Sequence, residues 1–274
     1  MKRIKARFLR RDVAGLLAVA AGLGWMQIAA LGQSTVAAKM APAAAGRLAD
    51  GKPDFNGIWE ALNTASFDIQ DHGGELGIPP GLGVVEGNEI PYQPWALAKK
   101  KENFANRATA DLTEANCFLP GVPRITYMPY PFQIEQSAKA IAFSYEFAHA
   151  LRMIHMEGQH PDPNGSLDTW LGDARGHWEG DTLVVDSRNF NDQTWFDKAG
   201  NFHSEALHVV ERYSLADADH INYEVTIEDP KVFTRPWKMS MPLYRRKEAN
   251  GRLLEYECVF YLQEKRYKDA PFKK

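Results

Sequence analysis

In the run Leu207, Val209, Glu211, Tyr213, Leu215, a carboxylate shares one strand face with four apolar or aromatic side chains. The opposite face carries His208, Val210, Arg212 and Ser214. An interior carboxylate needs a partner, or its pKa rises. A raised carboxyl in an apolar cavity is a common general acid or base. The competing reading is a structural carboxylate bridged to an interior Arg or Tyr. Glu211→Gln separates the two, since a chemical group can be swapped without unfolding and a strut cannot.

A second run, Phe143, Tyr145, Phe147, His149, Leu151, Met153, His155, shares one parity, and a hairpin turn near Ala148 would divide it into two halves, each with its own face. Imidazoles at His149 and His155 beside an interior Glu211, with Tyr145 nearby, would make an acid–base site. Core histidines held by backbone carbonyls are the plainer alternative. A third group lies in one loop: Asn191, Asp192, Trp195, Asp197, His203, Glu205 and His208. His203 or Asp192 would sit above the cavity. His203 and His208, with Glu205 and Asp197, could instead hold a divalent metal. The loop His160-Pro161-Asp162-Pro163-Asn164-Gly165 has turn chemistry throughout and reads as structural. Met153, Met239, Trp195 and Trp237 offer soft apolar surface for a ligand.

The elements that would position these groups are strands. Ile221, Tyr223, Val225 and Ile227 alternate with polar residues, as do Trp237, Met239, Met241 and Leu243, and Leu254 to Leu262. Turn residues separate the runs, at Glu179-Gly180-Asp181, Ala216 to Asp219 and Asp229-Pro230. Such strands make an antiparallel meander, and a meander of eight or more tends to close into a barrel. Residues 66–89 are rich in glycine and read as irregular. Trp95 to Asn106 is the one good helix candidate, so at most one or two short helices are expected.

Gly57-Ile58-Trp59 resembles the Gly-x-Trp of the first strand of lipocalin-like barrels, in which the Trp plugs one end. That resemblance implies a mainly β fold, one lipocalin-like antiparallel barrel with an irregular N-terminal third. Segments between Pro123 and Trp237 also resemble a family of secreted bacterial proteins of unknown function. They include Pro129-Tyr130-Pro131-Phe132, Trp178-Glu179-Gly180-Asp181 and Glu211-Arg212-Tyr213. The resemblance supports the domain boundaries and implies no chemistry.

Lys2, Arg3, Lys5, Arg7, Arg10 and Arg11 precede an apolar run from Val13 to Gly32 and an Ala-rich end near Ala38. This is the order of an export signal over 1–38, and Arg10-Arg11 suggests the twin-arginine route. Residues 39–52 read as a flexible lead-in and 53–274 as one barrel domain in the periplasm or outside the cell. With the basic signal removed, the chain is more acidic than its formal net charge of -3. That excludes nucleic acid as an expected partner and gives no reason for stable membrane association. The two cysteines are too few for a disulfide scaffold, and Cys258 is expected to be a free, buried thiol. No motif for an organic cofactor is present. The expectation is an exported isomerase, lyase or hydrolase acting on an apolar or aromatic small molecule. A binding protein for such a ligand and a metal-dependent enzyme remain the alternatives.

Overall fold

Period-two burial builds the strands, and their pairing closes them on themselves. The computed structural model describes residues 46–75, 78–162 and 169–256. The expected export signal and Cys258 lie outside these residues. The strand expected from Leu254 falls partly there too, and Leu254–Tyr256 is not in a strand.

Nine strands are present among the described residues: β1 Gly57–Glu60, β2 Phe132–Gln136, β3 Ala140–Tyr145, β4 Leu151–His155, β5 Asp173–Glu179, β6 Thr182–Arg188, β7 His208–Leu215, β8 His220–Glu228 and β9 Trp237–Arg245. They form a closed barrel in sequence order, with β1 pairing β9. Strands that alternate in direction close antiparallel only when their number is even. With nine, one neighbouring pair must be parallel, and that pair is β4–β5, through Ile154↔Ala174 and His155↔Arg175. A parallel pair needs a long crossover. In this register the end of β4 lies directly beside the start of β5, with the connection between them leaving the sheet after His155 and rejoining it at Asp173.

The interior is packed with large side chains. Phe132 stacks on Phe143 at 5.8 Å, Phe143 meets Tyr213 at 5.5 Å, and Tyr213 meets Tyr223 at 4.8 Å between ring centroids. Trp59, on β1, is wholly buried. Its indole N–H donates to the Phe55 carbonyl at 2.8 Å, and the Arg245 guanidinium lies 4.1 Å from the ring centroid. Gly57 has φ +132, and a Cβ there would collide with the Arg245 guanidinium. The glycine of Gly-x-Trp is thus required both by its backbone and by the cation over the tryptophan.

Because β1 is short, it covers only the last residues of β9. The exposed remainder of that edge is met by Val84 and Val85: Val85 bridges Met239, and Ser240 donates to the Val84 carbonyl at 2.9 Å. Covering an edge in this way prevents pairing with another chain. The N-terminal third is irregular as expected. It contains three helices, α1 Pro94–Ala105, α2 Arg107–Ala110 and α3 Leu112–Asn116, of which only α1 exceeds about one turn. Asp111 caps α3 by accepting from Thr113 N at 3.2 Å, and also receives two bonds from the fully buried Arg124, at 3.1 and 2.9 Å. No helix among the described residues is long and apolar enough to cross a membrane.

Cys117 is disulfide-bonded. The chain has one other cysteine, Cys258.

Candidate functional site

Glu211 faces the barrel interior at 0% exposure, the register that the alternation along β7 predicts. Its partner is Arg152. One guanidinium nitrogen donates to Glu211 Oε1 at 3.1 Å, and the other to Oε2 and to Ser187 Oγ. The hydroxyls of Tyr213 and Tyr223 donate to Glu211 Oε1 at 2.8 and 2.7 Å. Burial pushes both phenols well above their usual range, so they remain donors. Side chains of β4, β7 and β8 thus meet on one carboxylate, and Arg152 ties β6 to it through Ser187.

The expected companions of Glu211 do not join it. Phe143 pairs with Arg152 and Ile141 with Ile154 across β3–β4, and directly opposed residues share a face. The interior residues of β4 are therefore the even-numbered ones, Arg152 and Ile154. Tyr145 N donates to the Ala150 carbonyl at 2.8 Å, so these two residues are opposed across a turn of 146–149, with Ala148 and His149 at positive φ, and that even-numbered turn exchanges the two parities between β3 and β4. His155 is exposed and Met153 is 39% exposed. His149 is also exposed, its Nε2 accepting from Tyr256 N at 3.0 Å. Tyr145 is buried near the cluster, its hydroxyl 3.5 Å from Thr126 Oγ1.

The mouth loop between β6 and β7 also separates its candidates. His203 is buried, with Nε2 2.6 Å from Thr194 Oγ1 and Nδ1 2.9 Å from the Ser204 carbonyl. Burial holds its pKa below the usual histidine range. Asp192 is exposed, while Trp195, Trp237 and Met239 are buried in the core. Asp197 is tied down by three donors: Ile69 N at 3.0 Å, Asn201 N at 3.1 Å and the Asn201 side chain at 2.5 Å. Burial raises its pKa to about 7. His208 stands on the outer wall and shares no contact with His203. The metal reading of the pair is not assembled here, and no group of three or more such ligands is arranged for a metal among the described residues.

What the fold does assemble lies on the outer wall of β5–β8. Asp186 offers one carboxylate oxygen to His160 Nε2 at 2.9 Å and the other to His208 Nε2 at 2.9 Å. The far nitrogen of each imidazole also faces a carboxylate: His160 Nδ1 lies 2.7 Å from Asp173, and His208 Nδ1 lies 3.2 Å from Glu228. Register explains the sheet part. Asp173 pairs with Arg188, Arg175 with Asp186 and His208 with Glu228, which leaves Asp186 diagonal to His208 on one face. His160 is not on the sheet. The crossover forced by the parallel pair carries it onto the wall between Asp173 and Asp186.

Arg175 donates twice to Asp173, at 2.8 Å each. Arg188 Nε donates to Asp186 at 3.2 Å, and its head is half exposed. Burial opposes ionisation of Asp186, yet bonds from His208 and Arg188 hold its pKa well below the usual range. The bond to Asp186 raises the pKa of His208. This array borders an open groove of about 480 Å³. Its walls include His160, Pro161, Arg188, Glu205, Leu207 and His208. The groove combines acidic and basic groups with a short apolar wall.

The pKa shift of His208 sets a sign for stability. A raised folded pKa means that the folded state holds the proton more tightly. The contribution is full below about pH 6.5, the ordinary histidine value, and is lost as pH rises through the raised value. The melting temperature of the wild type should therefore fall across that window more than that of His208→Gln. Parallel melting curves for the two would contradict the Asp186–His208 bond.

His160 and Asp186 are the functional candidates that sequence reading missed. Asp173/Arg175 and Asp186/Arg188 are each spaced by two, so each pair lies on one strand face, a charged stripe visible in the sequence. Nothing local places His160 beside it. Comparison with family models, curated proteins and solved structures returns no match for this chain.

Proposed function

We propose that this protein is an exported enzyme that performs acid–base chemistry on a small molecule held in the outer-wall groove. The observation that carries this reading is a single carboxylate, Asp186, shared by two imidazoles at the edge of an open groove. A carboxylate that orients a histidine and stabilises its charged form is the recurring support of a general acid or base. In this reading the substrate displaces Glu228 from His208 Nδ1, at 3.2 Å the longest of the four imidazole–carboxylate contacts, and His208 gives and takes the proton there while Asp186 holds its Nε2; His160 positions Asp186, and Arg188 receives the oxygen on which negative charge develops. Leu207, Ala206 and Pro161 take the apolar body of the substrate. Hydrolysis of a small ester and isomerisation of a carbonyl compound both fit this division of labour, without an organic cofactor. Compared with the sequence expectation, the chemistry is kept and its place moves from the interior to the wall.

The disulfide at Cys117 supports an oxidising compartment and so supports export to the periplasm. The burial of Trp59 on the first strand supports the lipocalin-like reading of Gly57-Ile58-Trp59. The groove's mixed charge supports a small polar-headed ligand and no nucleic acid.

A fragment screen read by histidine-selective NMR tests the location. Small aromatic esters and carboxylates should perturb the His160 and His208 imidazole resonances together. Fragments that bind while leaving both imidazoles unperturbed would place the site elsewhere.

A further inference from the structure

His160 reaches the outer wall from the connection between β4 and β5, and one residue, Asn189, bonds to that connection at two places. Asn189 follows the last residue of β6 and lines the groove with His160 and His208. Its side-chain amide donates to the Pro161 carbonyl at 3.3 Å. Its own carbonyl accepts from Thr169 twice, from the backbone N–H at 3.1 Å and from Oγ1 at 3.0 Å. Asn191 N in turn donates to the Thr169 carbonyl at 2.9 Å, and Thr169 bridges Phe190 in parallel.

Asn189 has φ 61, in the left-handed region where residues other than glycine are uncommon and Asn is enriched. Gly would serve that conformation at least as well. What Asn adds is the amide, and the amide is directed at the residue next to His160. Pro161 has a fixed φ, and the residue before a proline is restricted to extended backbone. Holding the Pro161 carbonyl therefore limits the direction in which the His160 side chain leaves the backbone. That side chain stands with Nδ1 2.7 Å from Asp173 and Nε2 2.9 Å from Asp186. We infer that Asn189 is a positioning residue of the groove, seating His160 against Asp186 through the Pro161 carbonyl. The seating is a matter of geometry alone, while its effect on turnover rests on the proposed function.

The test uses the whole mature chain, imidazole NMR and hydrolysis of p-nitrophenyl acetate. Asn189→Gly keeps the left-handed backbone and the Thr169 bonds and removes only the amide. In this variant the His160 ring resonances should shift, while those of His177 and His220 stay in place. The kcat should fall about tenfold with KM within about threefold of wild type, since small misplacements of a positioned group are costly. In a His160→Gln background, Asn189→Gly should cause no further loss, because the two residues act as one unit. His160 resonances that match the wild type overturn the assignment. So does a loss of the same size in the His160→Gln background, because Asn189 then acts through another group. If the wild type hydrolyses no ester, the proposed function fails, and the resonances alone decide for or against Asn189. If Asn189→Gly does not fold, Asn189→Asp is judged by the same two criteria, since it keeps the side chain's shape and has no N–H to donate.

Discussion

Glu211→Gln should destabilise the protein by about 3–5 kcal/mol, the cost of removing one partner from a buried ion pair. Gln offers one carbonyl where the carboxylate accepts from Arg152 twice and from Tyr213 and Tyr223. The guanidinium is then left charged and buried, with its Nε already lacking a partner. Against a total stability of about 5–15 kcal/mol, a loss of this size is large. Denaturant unfolding reads it as a lowered midpoint. The double variant Arg152→Met/Glu211→Leu should recover part of the loss, because apolar residues of similar volume often replace a buried pair at little cost. Recovery stays partial since both tyrosine hydroxyls and Ser187 lose their partner. A single variant within about 1 kcal/mol of wild type, the scale of a surface pair, would show that this carboxylate is no strut.

Trp59→Ala should cost about 3–5 kcal/mol as well, through lost burial and the cavity left behind. The side chain is wholly enclosed, its N–H is satisfied by Phe55, and Arg245 lies over its face. Arg245 also donates to the Asn56 and Ala218 carbonyls at 2.5 and 2.7 Å, so the tryptophan packs beneath a clasp joining β1 to β9. Loss of the ring loosens the strand that closes the barrel. Thermal melting should show a markedly lowered transition. An unchanged melt would mean that β1 contributes little to closure.

Alternation alone is enough to read β7, β8 and β9, because each buries one face and contains no interruption. Trp95 to Asn106 was legible as a helix for similar local reasons, and appears as α1. What local pattern lacks is the count of strands around the barrel. The parallel β4–β5 pair follows from closure by an odd number, a property of the whole chain. The face of His155 depended on one turn: an even-length connection between β3 and β4 exchanges inside and outside, and nothing in Phe147-Ala148-His149 announces that length. Arg152 has the parity opposite to Leu151, Met153 and His155, so it lies inside where they lie outside and is the interior partner of Glu211. His160 reads as turn chemistry because its contacts to Asp173 and Asp186 arise from strand pairing and not from any local pattern.

In the proposed function, Asp186 supports proton transfer in the groove through the imidazoles it binds. Hydrolysis of p-nitrophenyl acetate by the mature protein tests it most directly, compared between wild type and Asp186→Asn at equal folded fraction. Loss of a positioned acid or base costs about 10²–10⁴-fold in rate. A saturable wild-type rate is expected to fall by at least about 10²-fold in Asp186→Asn, with the melting temperature still well above the assay temperature. A rate that Asp186→Asn leaves unchanged, or no rate above a heat-unfolded control, would contradict it.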